Sequence, residues 1–338
     1  MEQQKPSAVS SPDSKRDFKK ASKIIFAIVL LIGVSVASYQ VIKEMIANNR
    51  ISRYSVSDRI SLREGDRDTG QNGQQGEKPR IQIAIAPIVS PEKSMETYEA
   101  FVHYIGEKLE MQPVALYRPT YSETNDLVRY RRCDFAIVCT YPFIRGEKEF
   151  GMQALVVPQI KGEQTYQSFI LVPASSSATS LLDLRGKRFA SADIISTTGW
   201  LFPAMILMES GENPNKFFRD HILTHSHDRS LQAVIEGFVD GAAVHGIVYS
   251  QMMEQDPSFR QKVKVLAISK PFGIPPIVIH PDLDPKLKSA IRSVLLGMHE
   301  DVQGKSILAK LQIDRFVVPN TKHFESLRLA IGKLEKWR

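Results

Sequence analysis

Ile81-Gln82-Ile83-Ala84-Ile85-Ala86, stopped by Pro87, is the stretch on which the fold turns. Its alternation predicts a β-strand, and the proline predicts a stop, because proline offers no N–H to a ladder. Further along, residues 94–109 (SMETYEAFVHYIGEKL) set Tyr98, Phe101, Val102, Ile105 and Leu109 on one helical face, with Ser94 as N-cap. Pro113–Tyr117 reads as a second strand and Ser122–Arg132 as a second amphipathic helix. Residues 134–139 (DFAIVC) carry a continuous apolar run, as expected of a parallel strand covered on both faces. The succession βαβαβ predicts an open α/β sheet.

A second unit of the same kind follows. Arg188–Ser191, Ile222–Thr224 and Gly241–Val244 read as strands; Trp200–Glu209, Ser230–Glu236 and Ile247–Gln255 read as helices. Two apolar extended runs, Gln167–Val172 and Val263–Ile268, lie between the units. Two crossings between two α/β units predict a hinged pair of lobes that closes on a ligand. Lobe 1 is expected over about 80–166 and 270–338, with helices near Pro285–Gly297 and Thr321–Lys336, and lobe 2 over about 173–262.

Upstream of Ile81 the chain has a different character. Residues 24–38 (IIFAIVLLIGVSVAS) are apolar and uncharged, and Val41 and Ile42 lengthen the stretch to a span of 24–42, about enough to cross a bilayer as a helix. Lys15, Arg16, Lys19, Lys20 and Lys23 precede it, which predicts a cytoplasmic N-terminus (1–23) and a globular part on the periplasmic, extracytoplasmic side. An uncleaved signal anchor in the inner membrane fits this pattern better than a cleaved signal peptide, since Ser35-Val36-Ala37 is a poor cleavage site. A twin-arginine signal would need a second arginine where Lys15 stands. No cysteine closes the apolar run, so a lipoprotein anchor is excluded. Residues 43–79 are polar and poor in large apolar side chains after Leu62, which predicts a linker without a core.

Composition excludes several functions. The 338 residues hold two cysteines, Cys133 and Cys139, which would stand about 20 Å apart on a strand, too far to bridge. Both read as buried packing residues. The net charge of +7 forms no basic stripe: residues 1–79 hold 13 Lys+Arg against 9 Asp+Glu, and the rest is near balance. Nucleic acid is therefore not an expected partner. No nucleophile elbow, phosphate-binding P-loop or zinc-protease motif occurs, so no enzyme activity is expected. His225 and His227 share a strand-like spacing, with His221 nearby, but no further ligand supports a metal, and no cofactor is expected.

In open α/β sheets, ligands sit beyond the carboxyl ends of the strands. After the strand ending at Ser191 comes Ser196-Thr197-Thr198-Gly199, at the start of a helix. Hydroxyls and a glycine there offer free backbone N–H groups at a positive dipole end, which suits an anion without Lys or Arg. The same residues also serve as ordinary helix caps in many proteins. Tyr98 reads as core, Asp240 as a strand-opening turn residue, and Arg145 and Lys148 as a solvated turn.

These blocks carry a resemblance. Ser196-Thr197-Thr198-Gly199, Gly211–Phe218 (GENPNKFF), Ser226–Val234 (SHDRSLQAV) and Gly237–Val244 (GFVDGAAV), with Pro91–Tyr98 and Asp183–Lys187 upstream, resemble the substrate-binding components of phosphate/phosphite/phosphonate ABC transporters over residues 80–300. The resemblance implies a type II periplasmic-binding fold closing on a tetrahedral oxyanion, with an ABC permease and ATPase as partners. It implies that Ser196, Thr197, Thr198 and Gly199 hold the anion's oxygens and that His227 donates to them. It also implies that Tyr121 faces the ligand from the first lobe, with Tyr141, displaced from the family pattern, as a second aromatic. Amino-bearing phosphonates need carboxylates, and Ala242–Tyr249 and Gly273–Pro276 contain none, so a bare oxyanion is expected. A subunit that reports the same anion to a membrane sensor kinase is the alternative use of this architecture.

Overall fold

The computed structural model describes residues 78–337. The N-terminus 1–23, the expected membrane helix 24–42 and the linker as far as residue 77 lie outside them. No helix among the described residues is long and apolar enough to cross a membrane.

In chain order, β1 (Arg80–Ile85), α1 (Pro91–Lys108), β2 (Gln112–Tyr117), α2 (Tyr121–Arg129), β3 (Phe135–Ile137), α3 (Thr140–Phe150) and β4 (Gln153–Gln159) come first. A short strand β5 (Thr165–Tyr166) leads into β6 (Ser168–Pro173) and β7 (Arg188–Ser191). A π-helical turn (Thr197–Leu201) then continues as α4 (Phe202–Glu209), followed by α5 (Pro214–Phe217) and β8 (Asp220–Leu223). Next are α6 (His227–Ile235), β9 (Gly241–His245), α7 (Gly246–Gln255) and β10 (Val263–Ile268). The chain returns through β11 (Phe272–Gly273) and β12 (Ile277–Ile279) to α8 (Pro285–Gly297), α9 (Val302–Lys310), β13 (Arg315–Val317) and α10 (Glu325–Glu335).

The strands form a six-stranded sheet (β13-β4-β12-β3-β1-β2) and a five-stranded sheet (β10-β6-β9-β7-β8) built on one plan. In the first, β1 lies between parallel β2 and β3, with antiparallel β12 beyond β3. In the second, β7 lies between parallel β8 and β9, with antiparallel β6 beyond β9. The alternation in β1 is satisfied on both faces: Ile81, Ile83 and Ile85 pack into one core, Ala84 and Ala86 into another. That second core is continuous across the cleft, from Tyr121 and Tyr141 to Phe189 and Trp200.

Four details differ from the sequence pattern. Helix α1 begins at Pro91 rather than Ser94, because proline's fixed φ suits the first turn and its missing N–H is not needed there. Ser94 instead donates its hydroxyl to the Val89 carbonyl at 3.1 Å. Arg145 and Lys148 stand on helix α3, not in a turn; Pro142 hides this helix in the sequence but is tolerated in a first turn. The extended runs at 167–172 and 263–268 are strands of the second sheet, β6 and β10, because Ile170, Leu171 and Val172 are wholly buried in it. The crossing is a shorter antiparallel pair, β5 with β11, where Tyr166 faces Phe272. Finally, α10 packs on both α3 and α4 and so touches both lobes.

Candidate functional site

Four helix N-termini meet in the cleft between the sheets. Tyr121 opens α2, Tyr141 is the second residue of α3, Thr197 opens the turn before α4, and His227 opens α6. Each helix follows the carboxyl end of a strand, respectively β2, β3, β7 and β8. Their dipoles raise the potential there without a formal cation. Tyr121, Tyr141, Ser196, Thr197, Thr198, Gly199 and His227 are all buried.

His227 is the centre of the group. Its Nε2 lies 3.4 Å from Ser196 Oγ, 3.5 Å from Thr198 Oγ1 and 3.5 Å from Tyr121 Oη. On the other side of the ring, Nδ1 accepts the His245 backbone N–H at 3.2 Å. Burial pushes the His227 pKa down to about 3, so the ring is neutral at ordinary pH. A neutral ring whose Nδ1 accepts carries its proton on Nε2. The tautomer is thereby fixed as an N–H donor aimed at the three hydroxyls. Ser196 Oγ accepts from the Gly199 N–H at 3.0 Å, which leaves its own O–H free to donate.

The local chain explains this arrangement. The Ser196 carbonyl accepts from both Trp200 N–H (3.0 Å) and Leu201 N–H (2.9 Å), so the first turn is widened into a π-turn. Gly199 sits under it: a Cβ there would stand 3.0 Å from Ser196 Oγ and 3.2 Å from the Ala192 nitrogen. Thr197 reaches the other lobe, where its Oγ1 accepts the Tyr141 N–H at 2.8 Å and the Cys139 thiol at 3.5 Å. Tyr141 thus meets the predicted group through its backbone N–H.

The lobes are closed on one another. The His227 N–H donates to the Ile88 carbonyl (3.0 Å), the Tyr121 N–H to Asp193 Oδ2 (3.0 Å) and the Ser90 N–H to Asp228 Oδ1 (2.9 Å). Both buried carboxylates are thus occupied: Asp193 Oδ1 also accepts from Ile195 N–H at 3.0 Å, and Asp228 Oδ2 lies 3.7 Å from Lys93.

Sequence reasoning missed His245, Tyr166, Asp193 and the part played by Cys139. His245 ends β9 and caps α7, so the rule about carboxyl ends of strands would have found it. Its ring lies 4.5 Å from Tyr166 and 5.7 Å from His227, and its pKa is held well below the usual range by burial, then by His227. Cys139 is a free buried thiol whose Sγ lies 3.9 Å from Tyr166 Oη. His221 turns away: it hydrogen-bonds Ser191 Oγ at 2.7 Å and stacks on Trp200 at 4.0 Å. Among the described residues no three His, Cys, Asp or Glu side chains gather as metal ligands. Asp240 holds the Arg188 N–H at 2.8 Å at the opening of β7.

Residues 83–324 match the family of periplasmic substrate-binding proteins of phosphonate ABC transporters. The chain belongs to this family. Its members are binding components of transporters and not enzymes. The fold of this binding protein is shared with solved structures. A binding protein component of an ABC phosphonate transporter from Pseudomonas aeruginosa superposes with a TM-score of 0.72 at 20% identity, over 77% of this chain and 88% of that one. PhnD1 from Prochlorococcus marinus, in complex with methylphosphonate, gives 0.69 at 18% identity over 76% and 98%. A protein from Xanthomonas citri bound to chloride gives 0.65 at 17% identity over 76% and 99%.

Proposed function

We propose that this binding protein captures a small phosphorus oxyanion (phosphate, phosphite or a small alkylphosphonate) outside the cytoplasmic membrane and delivers it to an ABC permease. The observation that carries this reading is the neutral His227 ring. Its Nε2–H points at three hydroxyls between four helix N-termini, with no lysine or arginine in the group. Such a group offers donors on several sides and matches a tetrahedral anion with three exposed oxygens. Ser196, Thr198 and Tyr121 hydroxyls and His227 Nε2–H donate to those oxygens. Thr197 bridges to the Tyr141 N–H and ties ligand capture to closure. The helix dipoles disperse the anion's charge, so the site holds it without an ion pair.

An aminoalkyl phosphonate would bring an ammonium needing a carboxylate partner, and Asp193 and Asp228 are already taken up by backbone N–H groups of the opposite lobe. The ligand is therefore a bare or alkyl-bearing oxyanion. Residues 24–42 hold the protein at the membrane, and residues 43–79 give it reach to a permease. Titration calorimetry of the full-length protein with phosphate, phosphite, methylphosphonate, 2-aminoethylphosphonate and sulfate tests the reading. Saturable binding of a phosphorus oxyanion supports it. Tighter binding of 2-aminoethylphosphonate than of the others, or no heat with any of them, refutes it.

A further inference from the structure

His227 opens α6, and Asp228 follows it in the same turn. Asp228 is buried, and both partners of its carboxylate stand in the first lobe. The Ser90 N–H donates to Oδ1 at 2.9 Å, and Lys93 Nζ lies 3.7 Å from Oδ2. Earlier in the same first-lobe loop, the Ile88 carbonyl accepts the His227 N–H at 3.0 Å. Residues 88–90 and 227–228 are thus joined by a reciprocal pair of hydrogen bonds, with one donor from each lobe. Ser90 is the N-cap of α1, so the carboxylate lies between two positive helix ends, that of α6 in its own lobe and that of α1 in the other. At the rim, Arg229 lies 3.6 Å from Glu92 and extends the clasp.

We infer that Asp228 is a positioning residue: it latches the first lobe onto the helix that carries His227, and so sets how slowly a captured anion leaves. The inference rests on the function proposed above and extends it from the donors to the contact that keeps them covered. The second lobe does not need this bond in order to fold. With the lobes apart, water and the N-terminus of α6 satisfy the carboxylate, and water satisfies the Ser90 N–H. Docking exchanges these for one charge-assisted bond in a buried place, where it is stronger than in water. The bond therefore belongs to the closed form alone and must break before the lobes part. None of the Ser196, Thr198 and Tyr121 hydroxyls or His227 Nε2 bonds Asp228, so a change there leaves the anion's donors in place. Capture by the open form is then unaffected, and the latch acts on release.

Ser90 gives an independent handle on the same bond. Its φ of −54° and ψ of 152° suit proline and its side chain makes no cap bond, so Ser90→Pro removes the N–H donor and little else. Stopped flow with methylphosphonate on the full-length protein should show dissociation at least about fivefold faster in Asp228→Ala and in Ser90→Pro, with association within about twofold of the native rate. Asp228→Asn, which keeps an accepting oxygen but no charge, should fall between native and Asp228→Ala. The double variant Ser90→Pro/Asp228→Ala should release the anion no more than about twofold faster than Ser90→Pro alone, since both changes remove one bond. Spin labels on His103→Cys and Glu236→Cys, exposed positions on α1 and at the end of α6, read closure itself; Cys133 and Cys139 are buried and stay unlabelled. At saturating methylphosphonate, Asp228→Ala and Ser90→Pro should show a population at longer separation that the native protein lacks. Slower association with unchanged dissociation, additive effects in the double variant, or a label separation that no variant changes overturns the latch and leaves the anion site standing. If the native protein binds no methylphosphonate, the proposed function fails, and the latch stands or falls on whether these variants change the label separation in the anion-free protein.

Discussion

The two faces of the cleft are made of different materials. The second lobe presents Ser196, Thr197, Thr198 and His227, polar and wholly buried, on two successive strand–helix junctions. The first lobe presents one hydroxyl, Tyr121 Oη, one backbone N–H, that of Tyr141, the Cys139 thiol and the Ile88 carbonyl. One face therefore grips and the other covers. A grip assembled within one lobe is preorganised before closure; the proposed function therefore assigns anion capture to the second lobe and the length of the anion's stay to the first.

The largest expected effect is on the grip. His227→Ala removes the Nε2–H donor and also strands the His245 N–H. Oxyanion affinity should fall at least about 100-fold in calorimetry, as expected for losing a charge-assisted bond and orphaning a buried donor. A loss below fivefold would break the comparison. On the covering face, Tyr121→Phe removes a single hydroxyl and should weaken binding about tenfold. The change should lie mainly in faster dissociation, followed in stopped flow through the emission of buried Trp200. An equal slowing of association would mean that both faces grip.

A pH series sharpens the same contrast. His221 and His227 are pushed down by burial to about 4 and about 3 from an ordinary 6.5, and His245 is also held well below it. Two of these three border the site. The folded protein keeps the rings neutral, while the unfolded chain takes up protons as the pH falls through 6.5. Stability is therefore complete above about 6.5 and is lost progressively as the pH drops toward 4, which chemical denaturation at each pH will show. Over the same range, methylphosphonate affinity should track the ligand's own ionisation, with no further midpoint contributed by His227. The smallest effect belongs to the exterior: Arg145 and Lys148 on α3 pair with Glu149 at 2.6 Å and Glu335 at 2.8 Å. Their alanine variants should change affinity by less than about twofold.

Much of this was legible in the sequence where local chemistry decides. The alternation of β1 and the helical stripe of α1 were readable because period and burial coincide. The Ser196–Gly199 and Ser226–Asp228 blocks were readable because a helix N-terminus after a strand is a local arrangement. Helix α3 was hidden by Pro142, whose effect depends on which turn it occupies. The strands β6 and β10 looked like crossings, since an apolar run does not say which sheet will bury it. Asp193 was invisible as a site residue, whereas His245 stands at the carboxyl end of β9, where the strand-end rule points. His245 owes its place to the pairing of β9 with β6, and Asp193 to a bond with Tyr121 N–H formed 72 positions away in the chain.

The most direct test is a crystal structure of the protein grown with methylphosphonate. The account predicts the phosphonate oxygens within about 3 Å of Ser196 Oγ, Thr198 Oγ1, Tyr121 Oη and His227 Nε2, with no lysine or arginine in contact. An anion bound elsewhere, or one held in this cleft by a cationic side chain, would contradict it.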